Sequence, residues 1–322
     1  MTFRLTAALM LIVVGGCGIP SFLVTPVSNS TALKEETVAE GQGFGPPKVV
    51  IVEVEGMLIN ARTGGLLQQQ ENVVSLFAQQ LEKAREDDAV KAVVLRVNSP
   101  GGTVAASDAM YGLAMKFKEE SKKPVVASIQ ELGASGGYYV SCAADKIVAQ
   151  PTSLVGSIGV IYNTFDFSGT LAKIGARSEA IKSGPLKDMG SPFKPMSDED
   201  RKVMQGLVDE FYGRFKMIVK KNRRLDDAKL AAVSDGRVFS GEQSVTMGLV
   251  DRAGSLEDAI GLAKEVAHAP NAKVVLYRRP YGYGGSIYAK NETGQPQTAV
   301  FNLNLPPTRE LLGTGFYYLW DP

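Results

Sequence analysis

From Lys48 onward the hydrophobic pattern switches repeatedly between two periods. "KVVIVEVEGML" (48–58) is a β-branched run that predicts a strand, and "NVVSLFAQQLEKARED" (72–87) places Val73, Leu76, Phe77 and Leu81 on one helical face. "VKAVVLRVN" (90–98) is almost continuously apolar, as a strand covered on both faces would be. It runs into "SPGG", after which Ala106, Ala109, Met110, Leu113, Ala114 and Phe117 recur at helical spacing. "KPVVASI" and "DKIVAQP" predict a third and a fourth strand, with "QELGASGGYYVSCAA" between them. Further along, "GSIGVIY" and "RSEAIK" read as strands, "TLAKIG" as an amphipathic turn of helix, and "SGPLKDMGSPFKPM" as a loop broken by glycine and proline. A long helix then opens at Ser197, with Asp200 in capping-box spacing, and turns Val203, Met204, Leu207, Val208, Phe211 and Phe215 inward. Alternating strands and helices with short connections predict an α/β fold on a mostly parallel sheet.

The two ends of the chain break this pattern. "MTFRLTAALMLIVVGGCG" has one positive charge, an apolar run from Leu5 to Val14 and small residues before Cys17, which is the pattern of a secretory leader. Val14-Gly15-Gly16-Cys17 resembles a bacterial lipobox, in which the cysteine becomes the lipidated N-terminus; an ordinary signal peptide or a short uncleaved anchor is the plainer alternative. Both readings place the domain outside the cytoplasm, in the cell envelope, and acyl chains on Cys17 would hold it at a membrane. The expected organisation is a leader over 1–17, a linker over 18–47, a folded domain over 48–280 and a flexible tail over 281–322 that closes on the aromatic "GFYYLW".

Composition narrows the chemistry. The 322 residues carry 35 basic and 34 acidic groups, so no long-range field recruits nucleic acid. Two cysteines, Cys17 and Cys142, cannot build a disulfide framework, and a single histidine, His268, leaves no zinc-like ligand spacing, so neither metal nor cofactor is expected.

The candidate chemistry centres on Ser135, set between Gly133, Ala134, Gly136 and Gly137. A serine hydroxyl needs a base to take its proton, and the oxyanion formed on attack needs N–H donors. A helix starting at Ser135 would offer the Gly136 N–H, and "NSPGG" would offer a second donor from the Gly101–Gly102 turn. Either glycine motif alone is explained as well by close backbone packing; two of them after neighbouring parallel strands converge on one end of the sheet. Two bases compete. "GASGG" satisfies the G-x-S-x-G elbow with His268 downstream, as in an α/β-hydrolase, but "QEL" separates the serine from its predicted strand and His268 sits where a helix C-cap is expected. Lys187, in the irregular "SGPLKDMGSPF", is the other candidate.

"VNSPGGTV", "ASGGYYVSCAADKIVAQPTSLVGSIGV", "IKSGPLKDMGSPF" and "SDGRVFSGEQSVTMGLVDRAGSLEDAI" together resemble successive motifs of the bacterial signal peptide peptidase A (protease IV) family of serine proteases, from about Lys48 to Ala267. The resemblance implies a Clp-protease/crotonase-like spiral of ββα units. It puts the nucleophile on Ser135, the general base on Lys187, the oxyanion donors on Gly102 and Gly136, and a lysine-orienting hydroxyl on Ser157. It also implies a homo-oligomeric ring in which serine and lysine come from neighbouring subunits. Its substrates would be remnant signal peptides and other unfolded hydrophobic segments. An esterase using Ser135 and His268, or a non-catalytic scaffold on the crotonase fold, remains the alternative at this point.

Overall fold

The computed structural model describes residues 32–61, 71–279 and 315–320. The chain enters through β1 (Lys34–Ala39) and then alternates: β2 (Lys48–Leu58), α1 (Val73–Glu86), β3 (Val90–Thr103), α2 (Val104–Ser121), β4 (Val125–Ala134), α3 (Gly136–Ser141) and β5 (Lys146–Ala149). Strands β2 to β5 are mutually parallel neighbours, as the strand–helix alternation requires. Their residues alternate between two cores. Val50, Val52, Val93, Leu95 and Val97 face a cluster that includes Phe77 of α1 and Met110 of α2, while Val49, Ile51, Ala92 and Val94 face a second cluster. Both faces are dry, which is why these strands read as unbroken apolar runs.

The second half adds shorter pieces: β6 (Leu154–Gly156), β7 (Ile161–Asn163), α4 (Ser168–Lys173), α5 (Asp198–Arg223), α6 (Asp227–Val233), β8 (Val238–Ser240) and α7 (Gly241–Thr246). After β9 (Arg252–Ala253), α8 (Leu256–Val266) closes the second core with Leu256, Ala259, Ile260 and Ala263, and β10 (Lys273–Arg278) inserts between β1 and β2. Helix starts follow local chemistry. Asn72 caps α1 through Val74 N and Ser75 N, and α5 opens on the Ser197–Asp200 capping box that its sequence predicts.

The long strands change partners along their length. β4 pairs with β5 through Val126–Ile129 and with β6 through Leu132–Ala134. β3 pairs with β4 through Val93–Val97, slips register before Ser99, and at Gly101–Thr103 pairs with β11 (Gly315–Leu319). The glycine motifs therefore lie where each strand leaves one set of neighbours for another.

Several expectations are corrected. Part of the 18–47 linker is the edge strand β1, held antiparallel to β10 and pinned by Glu35, which bridges Lys48 and Lys273 at 2.7 and 2.8 Å. Half-exposed edge strands lack the apolar run that betrays a central one. Likewise, residues 315–319 of the 281–322 tail form β11, while 281–314 lie outside the described residues, as do the leader and Cys17. Residues 177–182 form no strand. In α1 the buried face runs through Val74, Phe77, Gln80 and Leu81 rather than Val73, with Gln80 Nε2 donating to Tyr277 O at 3.1 Å. In α5 only Phe215, Ile218 and Val219 of the apolar face are buried, and Val203 is exposed. Cys142 is a packing residue: burial pushes its thiol up to about 12.

Candidate active site

β4 runs unbroken to Ala134, and Ser135 follows it directly at φ 51°, ψ −115°, a conformation that costs a non-glycine residue about 1–3 kcal/mol. Two backbone bonds impose it. Ser135 N donates to Gly156 O of β6 at 2.7 Å, and Ser135 O accepts from Tyr139 N at 2.8 Å, the first bond of α3. The side chain gains nothing from this: Oγ is buried, caps no helix and has no hydrogen-bond partner among the described residues. An unpaired buried hydroxyl itself costs about 1–3 kcal/mol. Strain and desolvation on one residue have no packing explanation, and both suit a nucleophile held ready for a reacting carbonyl.

The flanking glycines do have a packing explanation. A Cβ on Gly137 would meet Ser99 O at 2.7 Å, and one on Gly136 would meet Ser107 Oγ at 2.3 Å and Gly101 Cα at 3.0 Å. Gly101 has φ +103°, and its Cβ would lie 2.7 Å from Gly136 N; Gly102 is pressed against Leu58 O in the same way. The two turns thus converge on one point, with the Gly136 N–H in the first turn of α3, where no helical acceptor exists. Sequence reasoning missed Ser99, which clasps this arrangement by donating to Gly56 O at 2.6 Å and accepting from Gly101 N at 3.1 Å. An SPGG written before a helix carries that signal only once the bend at Gly56 is known.

Ser157 belongs to the same place. It follows Gly156, the residue that anchors Ser135, is buried, and takes φ 48° with its N–H on Arg237 O at 2.8 Å. Lys187 does not join them within one chain. It ends a turn, donating its N–H to Gly184 O at 3.2 Å; its side chain is exposed, and the unpartnered Ser135 Oγ does not receive it. Its neighbour Asp188 accepts from Lys182 and Lys194, both at 2.8 Å, and those hydrogen bonds hold its carboxyl down at about 2.

The objection that "QEL" separates Ser135 from its strand falls, since β4 contains those residues. His268 is nevertheless at the wrong end. It sits just past α8 at φ 51°, donates its N–H to Glu265 O at 3.0 Å, and precedes Lys273, which pairs with Lys48 at the start of β2. Ser135 lies beside the other end of β2, where Leu58 pairs with Gly102, and at about 3.3 Å per residue the ten residues between span roughly 30 Å.

The profile of peptidase family S49 matches residues 117–269, a span that includes Ser135, Ser157 and Lys187. A protein of Enterococcus faecium named as a signal peptide peptidase SppA is 38% identical over 249 residues, covering 77% of this chain and 72% of its own. The chain belongs to the S49, signal peptide peptidase A family. A protein of Methanocaldococcus jannaschii named as a protease is 40% identical over 214 residues, 66% of this chain and 68% of its own. The chloroplastic serine protease SPPA of Arabidopsis thaliana is 34% identical over 206 residues, 63% of this chain but 30% of the longer plant protein. Membership of S49 makes the chain a peptidase of the serine class, and its mixed α/β sheet fits that family.

Proposed function

We propose that the protein is an endopeptidase in which Ser135 is the nucleophile and Lys187, brought by a neighbouring copy, is the general base. The observation that carries the proposal is the strained, buried and unpartnered Ser135 hydroxyl beside two converging glycine turns. In the first half-reaction the neutral lysine amine takes the Oγ proton as Oγ attacks the substrate carbonyl carbon. The resulting oxyanion accepts from the Gly102 and Gly136 N–H groups. Collapse breaks the C–N bond, the lysine returns the proton to the leaving amine, and an ester on Ser135 remains. Water then gives a proton to the lysine and its hydroxide to the ester, which releases the acid and restores Oγ–H.

An amine is a base only when neutral, and a dry surrounding favours that form. The exposed Lys187 of a single chain has no such surrounding, yet its region carries uncovered apolar side chains: Phe165, Phe167, Ile174, Ile181, Phe193 and Val203 are all exposed. A homo-oligomeric ring would cover these and dry the lysine together, with Ser157 orienting its amine. The partner changes of β3 and β4 suit stacked ββα units, as in the Clp/crotonase spiral. Tethering at an extracytoplasmic membrane face through Cys17, and unfolded hydrophobic peptides such as remnant signal peptides as substrates, complete the proposal. Among the described residues no helix is long and apolar enough to cross a membrane.

A fluorophosphonate should form one adduct, located on Ser135 by peptide mass mapping; an adduct elsewhere, or none in a protein that cleaves peptides, overturns the nucleophile. His268→Ala should keep peptidase kcat within about twofold, because a residue some 30 Å away across β2 does not touch the reacting atoms. A dead His268→Ala with a normal thermal melt would reinstate the hydrolase-like reading.

A further inference from the structure

The base proposed for Ser135 stands in a segment that hydrophobic packing does not place. Among the described residues from Thr164 to Glu199, Gly190 alone is buried, and α4 within that stretch buries none of its residues. Around Lys187 the backbone makes only turns: Lys187 N donates to Gly184 O and Met189 N to Leu186 O, both at 3.2 Å, and Ser191 N donates to Asp188 O at 3.1 Å. A reacting group misplaced by about 1 Å loses on the order of a hundredfold in rate, so something other than a core has to hold this turn.

Charge does so. From Lys182 to Lys194 the chain has three lysines and one acid, Asp188. Lys182, six residues before it, and Lys194, six residues after, both donate to Asp188 Oδ1 at 2.8 Å. Lys182 also reaches Pro185 O at 3.0 Å, and Lys194 pairs at 3.0 Å with Asp200, a buried carboxylate in the first turn of α5. From the other flank, Thr164 Oγ1 donates to Gly190 O at 3.3 Å and Phe167 N to Pro192 O at 2.7 Å. A single exposed ion pair contributes little, but here the charges run in series from loop to helix. Lys187 is the lysine left out. Its side chain is exposed and makes no ion pair among the described residues, because the one carboxylate of the loop is already taken. Hydrogen bonds to Asp188 and Asp200 hold Lys194, by contrast, in its charged form.

We infer that Asp188 is the positioning residue for the general base: by drawing Lys182 and Lys194 onto one carboxylate it closes 182–194 into a fixed loop anchored on α5, and so presents Lys187 unpaired to the Ser135 of a neighbouring copy. The inference rests on the reading of Lys187 as the base. Asp188 acts through Lys187 and not on the substrate. The hydrogen bonds from Lys182 and Lys194 hold its carboxyl at about 2, so the clasp stays charged wherever a lysine can lose its proton. Asparagine in its place would leave three ammonium groups in one short loop with no counter-charge, and like charges repel.

A double-mutant cycle separates this role from a general one. Asp188→Asn should lower kcat for peptide cleavage about a hundredfold with KM within about threefold, and Asp188→Glu, which keeps the charge, should recover at least about a tenth of wild-type kcat. In a Lys187→Ala background, with acylation of Ser135 by an activated peptide ester as the readout, Asp188→Asn should change the rate by less than about twofold, because no amine is left to place. A further loss of about a hundredfold in that background, or a single Asp188→Asn that keeps wild-type kcat, overturns the inference. Acylation at the wild-type rate in Lys187→Ala alone is a separate result: it removes the base assignment, and the inference with it. The loop itself is read without turnover. In Ser135→Ala protein, amide exchange at Lys187, Met189 and Ser191 should quicken at least about tenfold when Asp188→Asn or Lys194→Met is added, while exchange in β2, β3 and β4 stays as it was. Unchanged exchange in the loop, or faster exchange throughout the sheet, overturns the inference.

Discussion

Ser135→Ala is expected to lower peptidase kcat by about a thousandfold or more while leaving the protein as stable as the wild type or up to about 2 kcal/mol more stable. The two halves of that result have one cause. The hydroxyl is buried and makes no hydrogen bond among the described residues, so the folded state carries its desolvation without return, and alanine removes that cost. The backbone strain at φ 51° stays, because alanine tolerates it no better than serine and the bonds to Gly156 and Tyr139 still impose it. Activity then trades against stability at a single atom, as expected where a site is held in a state that only substrate satisfies. Turnover numbers paired with thermal melts check this. Retained activity within tenfold removes Ser135 as nucleophile, and a loss of more than 2 kcal/mol shows that the hydroxyl has a structural partner after all.

Lys187→Ala should be equally inactive, and its informative property is what happens on mixing. The lysine is exposed in a single chain and does not reach Ser135 Oγ there. If a neighbouring copy supplies it, a mixed assembly of Ser135→Ala and Lys187→Ala chains contains some interfaces at which an intact serine faces an intact lysine. Random mixing at equal amounts makes these about a quarter of all interfaces in a head-to-tail ring. Two inactive proteins, dissociated and reassembled together, should therefore recover about a quarter of wild-type activity. No recovery, with mixed assemblies shown by mass measurement, would mean that both groups of a site come from one chain or that the base is another residue. Lys187→Arg should not rescue, since a guanidinium stays protonated.

What the sequence made legible follows from where the physics is local. The central strands β2, β3 and β4 were readable because both their faces are buried, and α5 because Ser197 and Asp200 mark its start within four residues. The serine and the two glycine turns were readable as a set because parallel strands bring their ends together, although "GASGG" alone favoured packing. The structure separates these residues: Gly136 and Gly137 are required by their neighbours, while the Ser135 hydroxyl has no hydrogen-bond partner among the described residues. The pairing of β11 was not readable, because its partners at Gly101–Thr103 and Ile161–Asn163 are more than 150 residues away in sequence. The exposed half of α5 misled for a related reason. A helical stripe states that a face is apolar, and leaves open whether its own chain or another covers it.

The direction of β1 has a consequence for orientation. Because it runs antiparallel to β10, with Lys34 opposite Arg278 and Ala39 opposite Val274, the chain enters the domain at the end of the sheet where the parallel strands finish. That is the end carrying Ser135, and His268 lies at the other. Whatever precedes Leu33 is therefore attached at the rim that carries Ser135, on the opposite side of the sheet's length from the rim that carries His268.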